Sequence, residues 1–101
     1  MHNFYTAEYP STTLRRLTEA LELMGAKITS KDTYTLKAMV PVDLTQVEVG
    51  VGVYTDKEDE GVTIVCVSRK QGDPLGFQKA FKTLKVRHIH THTHIYIHTH
   101  R

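Results

Sequence analysis

At 101 residues the chain has room for one domain and one hydrophobic core, not for two. Hydrophobic residues make up 40% and charged residues 24%, an ordinary balance for a soluble globular chain. The formal net charge of +2 says little, but its distribution is uneven: Arg69, Lys70, Lys79, Lys82, Lys85 and Arg87 face the single acid Asp73 in the C-terminal third, just after an acidic knot at Asp56–Glu60. No apolar stretch is long enough to span a membrane and the N-terminus lacks a signal-peptide core, so a nuclear or cytoplasmic location is expected.

Phe4 and Tyr5 read as a first strand or as a staple packed on the core. Ser11, Thr12 and Thr13 offer caps for a helix whose apolar stripe is Leu14, Leu17, Leu21 and Met24, with Ala20 alongside. Gly25 ends it where a positive φ is cheap. The period then changes to two. Lys27-Ile28-Thr29 is a possible short strand; Tyr34, Leu36, Ala38 and Val40 alternate until Pro41, which stops that strand or marks an edge.

Val47, Val49, Val51 and Val53 alternate with Gln46, Glu48, Gly50 and Gly52, the pattern of a half-buried antiparallel strand. The acidic knot forms a solvated hairpin loop, and Val62–Val67 is apolar enough for a central strand. Cys66, the lone cysteine, is expected there as a small core side chain in a reducing compartment. Asp73 caps a second helix, Pro74 suits its first position, and Leu75, Phe77, Ala80, Phe81 and Leu84 supply its apolar side. The fold class is therefore α+β: helix, antiparallel sheet of three or four strands, helix, with both helices on one face.

Six of the seven histidines lie in the last segment, from His88 to His100. Its alternation of His with Thr and Ile allows a metal site, an edge or aggregation-prone strand with His88, His90, His92 and His94 on one face, or translation of a CA/TA dinucleotide repeat. The last reading leads, because every residue from His88 to His100 has a codon of alternating pyrimidine and purine. The domain is accordingly placed at 4–87 and the low-complexity tail at 88–101.

Recognisable chemistry is missing. There is no Gly-rich phosphate loop, no Cys-x-x-Cys and no His-Glu-x-x-His, and outside the tail His2 is the sole histidine, so a Ser or Cys nucleophile has no evident base. Asp32, Asp43 and Glu48 are expected to be solvated. No cofactor and no metal are expected, and the chain is not expected to be an enzyme by itself.

Gly72-Asp73 followed by Phe77-Gln78-Lys79-Ala80-Phe81 resembles the last-helix motif of the kinase-associated domains that end several serine/threonine kinases. Phe4-Tyr5-Thr6 before the first helix resembles the opening of that domain in the DNA-damage checkpoint kinases, and Pro74-Leu75 after Gly-Asp is closer to that type. The likeness covers roughly residues 4–87; the short loop at Asp56–Gly61 and the tail depart from it. It implies a regulatory domain that holds a kinase catalytic domain, in cis in a parent protein, inactive through Phe4, Tyr5, Thr6, Gly72, Asp73, Phe77, Lys79 and Phe81.

It also implies a role in nuclear traffic, and anionic phospholipid binding with peripheral membrane association. Arg69, Lys70, Lys79, Lys82, Lys85 and Arg87 are the candidate lipid or acidic-partner contacts, each lysine contributing ~1 kcal/mol near an anionic membrane. No His-Arg-Asp or Asp-Phe-Gly element is present, so any catalysis would belong to that parent. A stand-alone lipid-binding module and a non-functional fragment are the alternatives. Nucleic acid is disfavoured, because the basic helix lacks surface aromatics for stacking.

Overall fold

A computed structural model describes residues 2–91, and side chains through His88. The element order is β1 (His2–Thr6), α1 (Pro10–Leu23), β2 (Lys27–Lys31), β3 (Thr35–Val42), β4 (Thr45–Thr55), β5 (Thr63–Gln71) and α2 (Pro74–Thr91). The strands form one antiparallel sheet in the order β1-β5-β4-β3-β2, so the N-terminal strand pairs with the last one made. The architecture is α+β as expected, with five strands rather than three or four. The additional strand is β1, where Phe4 pairs with Val65 and Thr6 with Thr63.

Both helices pack on one face. β4 turns Val47, Val49, Val51 and Val53 inward, β3 adds Leu36, Ala38 and Val40, and β5 adds Val65 and Val67. Leu14, Leu17, Ala20 and Leu21 of α1 cover them beside Phe77, Ala80, Phe81 and Leu84 of α2. Burying each large side chain is worth ~1.5–3 kcal/mol, so this layer holds most of the favourable folding energy.

The helix ends show how local chemistry sets the boundaries. α1 starts at Pro10, ahead of the hydroxyl run, because proline at the first helical position needs no donor. Its cap is Tyr9, without a side-chain bond; Thr13 donates its hydroxyl back to the Tyr9 carbonyl at 2.9 Å instead of capping. At the other end Gly25 takes φ +84°, and Ala26 N–H reaches Leu21 O at 2.9 Å, a left-handed stop.

Pro41 lies within β3, opposite Gln46 of β4. It does not stop the strand, because β2 pairs no further along than Met39, so no neighbour on that side asks for its missing N–H. Leu75 is exposed rather than part of the apolar stripe, because two residues from Phe77 is about 200° around the helix. Cys66 is half-buried on the sheet face away from the helices, not in the core. Alternation puts Val65 and Val67 inward and Cys66 outward, and partial burial there pushes its thiol pKa up.

α2 runs through Arg87 to Thr91, so His88–Thr91 are helical and not the start of a strand. His88 is almost fully buried, its ring 5.5 Å from that of Phe4. It continues the inward stripe of Phe81 and Leu84 at helical spacing. The rest of the repeat-like tail, with His92, His94, His98 and His100, lies outside the described residues.

Candidate functional site

The Gly72-Asp73 step is built by packing. Gly72 has φ +111°, and a Cβ there would lie 3.0 Å from both the Gln46 carbonyl oxygen and the Val47 Cα. Only glycine lets the turn after β5 pass this close to β4. The Arg69 guanidinium donates to the Gly72 carbonyl at 2.9 Å, and Asp73 Oδ2 accepts the Gly76 N–H at 2.8 Å, capping α2 as expected.

The two elements singled out by the resemblance meet in space. Phe4 of β1 lies 6.1 Å from Phe81 of α2, and His2 lies 5.1 Å from Phe77 and 4.8 Å from Phe81. His2 is thus part of the packing between β1 and α2 rather than a frayed end. Phe4, Thr6, Phe77 and Phe81 are buried, so they shape this junction from within. Tyr5, Gly72, Asp73 and Lys79 are exposed and available to a partner.

Lys79 donates to Asp43 Oδ2 at 2.8 Å, tying α2 to the β3–β4 turn; that hydrogen bond and the Asp43 charge raise the Lys79 pKa. Asp43 itself takes φ +55° in that turn, a conformation aspartate tolerates. The next residue, Leu44, is fully exposed, and Leu75 is largely so. Two exposed leucines therefore belong to the segments that the Asp43–Lys79 pair joins, with Lys82 one turn further along α2.

The six basic residues do not form one surface. Lys79, Lys82, Lys85 and Arg87 lie on α2, Lys85 half-buried, whereas Arg69 turns back to Gly72. Lys70 crosses the other face of the sheet, over Gly50. There an open trough of about 390 Å³ is lined by Ser30, Asp32, Lys37, Tyr54, Ser68 and Lys70, with Gly50 and Gly52 of β4 in its lining. The residues Lys37, Gly50, Gly52 and Tyr54 were not among the sequence candidates. The signal was present in the glycines, which replace side chains at alternate positions of an otherwise regular strand.

Elsewhere, Arg16 and Glu8 pair at 3.1 Å where α1 begins. Burial raises the Glu8 pKa against the opposing pull of Arg16 and Arg15, so desolvation outweighs the pair. Among the described residues no group of three or more His, Cys, Asp or Glu side chains is placed to hold a metal, and no helix is long and apolar enough to cross a membrane.

No family model matches the chain, and no curated protein sequence matches it. Among solved structures, it is similar to a chain in the adenylate sensor from AMP-activated protein kinase, in complex with 5-aminoimidazole-4-carboxamide 1-beta-D-ribofuranotide (ZMP). The TM-score is 0.66 at 14% identity, over 87% of this chain and 94% of that one. The chain shares the fold of a component of a kinase's own sensor.

Proposed function

We propose that this chain is a kinase-associated regulatory domain, most like that of the checkpoint kinases, which restrains a serine/threonine kinase catalytic domain and carries no catalysis of its own. The observation that carries the reading is the likeness to the adenylate-sensor chain, which spans nearly the whole of both partners. The junction of β1 with α2 supports it, because the opening and the Gly-Asp helix sit together around Phe4 and Phe81. Phe4, Thr6, Phe77 and Phe81 hold that junction's shape from within. The exposed candidates lie around it, Asp73 and Lys79 at the start of α2 and Tyr5 on the sheet face away from the helices, while Gly72 packs on β4.

An anionic membrane surface is the second reading, favoured by exposed Leu75 beside Lys79 and Lys82 and by exposed Leu44 next to Asp43, the partner of Lys79. Apolar side chains entering the interface next to lysines that meet headgroups is the usual division of labour at such a surface. On this reading lipid competes with the catalytic domain for the same lysines and directs the protein to membranes.

One experiment covers both. The full chain is added in trans to a checkpoint-type catalytic domain lacking its own C-terminal part, and peptide phosphorylation is followed. Dose-dependent inhibition is expected, weakened by Asp73→Lys and relieved by phosphatidylserine vesicles. Full activity at saturating chain overturns the regulatory reading, and inhibition indifferent to vesicles overturns the membrane reading.

A further inference from the structure

We propose that the open face of the sheet is a docking groove for an acidic, extended segment of a partner protein, laid along β4 between Lys37 and Lys70. This goes beyond the regulatory reading, which rests on the junction of β1 with α2 and says nothing of the sheet's other face.

β4 is the middle strand of the sheet. On its outward row Gly50 sits between Lys37 of β3 and Ser68 of β5, and Gly52 between Thr35 and Cys66. Glycine inside a strand weakens it and marks places where another chain approaches closely. Here two in alternation strip the central strand to its backbone, while β3 and β5 keep their side chains. Those flanking rows stand about 9.6 Å apart at two strand spacings, room for one extended backbone between them.

The second observation is a β-bulge. Glu48 pairs with Gln71 and Val49 with Arg69, so Lys70 is left without a partner on β4. A bulge re-aims the side chain it frees. The Lys70 stem swings across Gly50, with its Cε 2.5 Å from where a Cβ would stand, and Ser68 Oγ is 3.2 Å from the same point. On the next outward glycine, Gly52, the Tyr54 hydroxyl takes that position. The Lys70 cover is the far end of a flexible side chain, and the Tyr54 cover is the ring edge of a half-exposed side chain, so an incoming chain lifts the first and turns the second aside.

Charge chooses the occupant. Lys37 and Lys70 make no ion pair among the described residues, whereas Lys79, on the helix side of the sheet, is paired. Asp32 lines one end of the trough; toward the other end Glu48 shares its row with Lys27, across Met39, so Lys37 and Lys70 around Gly50 are joined by a third lysine on the same face. The hydroxyls of Ser30, Thr35 and Ser68 line it with donors. An extended chain carrying acids near its centre meets both lysines from one register, and its backbone fits over the glycines.

The probe is a Thr-rich peptide about eleven residues long with Glu at its central alternate positions, which at ~3.4 Å per residue spans β4. Titrated into the full-length protein, it is expected to shift the amide resonances of Lys37, Gly50, Gly52 and Ser68, with affinity falling as salt rises. The double variant K37E/K70E is expected to bind at least about tenfold more weakly. Gly50→Val, which fills the floor while leaving both lysines, is expected to abolish binding with the amide spectrum otherwise retained.

Shifts confined to α2, or none, overturn the proposal. So does inorganic phosphate producing the same shifts as the peptide at equal charge concentration, because the groove would then be a small-anion site. None of these outcomes bears on inhibition in trans, so the two readings fail separately.

Discussion

β4 presents opposite designs on its two faces. The inward row of Val47, Val49, Val51 and Val53 is sealed beneath both helices, while the outward row of Glu48, Gly50, Gly52 and Tyr54 leaves bare backbone under two displaceable side chains. The inner face follows what packing asks of a central strand, β-branched residues filling a pleated surface. The outer face departs from it, although valine or threonine in place of glycine would strengthen the strand. The difference teaches that one strand can serve stability and recognition at once, by alternate residues.

The contrast breaks most visibly from the inner side. Leu17→Ala, at a side chain with no exposed surface beneath the sheet, is expected to cost ~3 kcal/mol in urea unfolding, with the denaturant slope unchanged. A loss below ~1 kcal/mol would mean that the helices are not packed on the inner valines as described. Gly72→Ala comes next, at ~2 kcal/mol by the same measurement, since alanine meets both a left-handed φ and backbone at 3.0 Å. Near-wild-type stability there would show that the turn can move, and with it the start of α2.

The smallest effect is expected on the outer face. Gly50→Val should change stability by no more than ~0.5 kcal/mol, because the strand preference of valine is offset by the Lys70 stem and the Ser68 hydroxyl, which must both yield. Thermal melting decides it. A clear destabilisation would make Gly50 a requirement of the fold and remove the contrast between the faces.

The second helix was the most legible element, since Asp73, Pro74 and the spacing of Phe77, Phe81 and Leu84 all agree. The first was legible in its stripe but not its start, where Pro10 sets the first turn and the following hydroxyls fall inside it. β1 was harder: His2–Thr6 is short and chemically mixed, and pairing with β5, distant in sequence, makes it a strand. Cys66 was misplaced because the apolar run around it hides which residues alternate outward.

His88 shows the opposite error. Its neighbours look like a repeat, yet its distance from Leu84 marks it as the next inward position of the helix. Of the candidate site, the Asp73 cap of α2 was readable, because it is local, whereas the close approach of Gly72 to β4 was not. Nor was the grouping of charges. Linear clustering joined Lys70 to the lysines of α2, while the sheet separates them onto different surfaces. Which lysines share a face is a property of strand register and a bulge, and neither is local in sequence.

The position of β1 has a consequence for synthesis. Its residues leave the ribosome before those of the other strands but find their hydrogen-bonding partners only in β5, with Phe4 opposite Val65, and their aromatic neighbours later still, in Phe81 and His88. At ~5–20 residues per second, several seconds pass between the making of β1 and of the surface it joins. During that interval the β3–β4 and β4–β5 hairpins can close, because their partners are adjacent in sequence. The nascent chain thus assembles its sheet from the middle, and its first-made strand is the one that must wait.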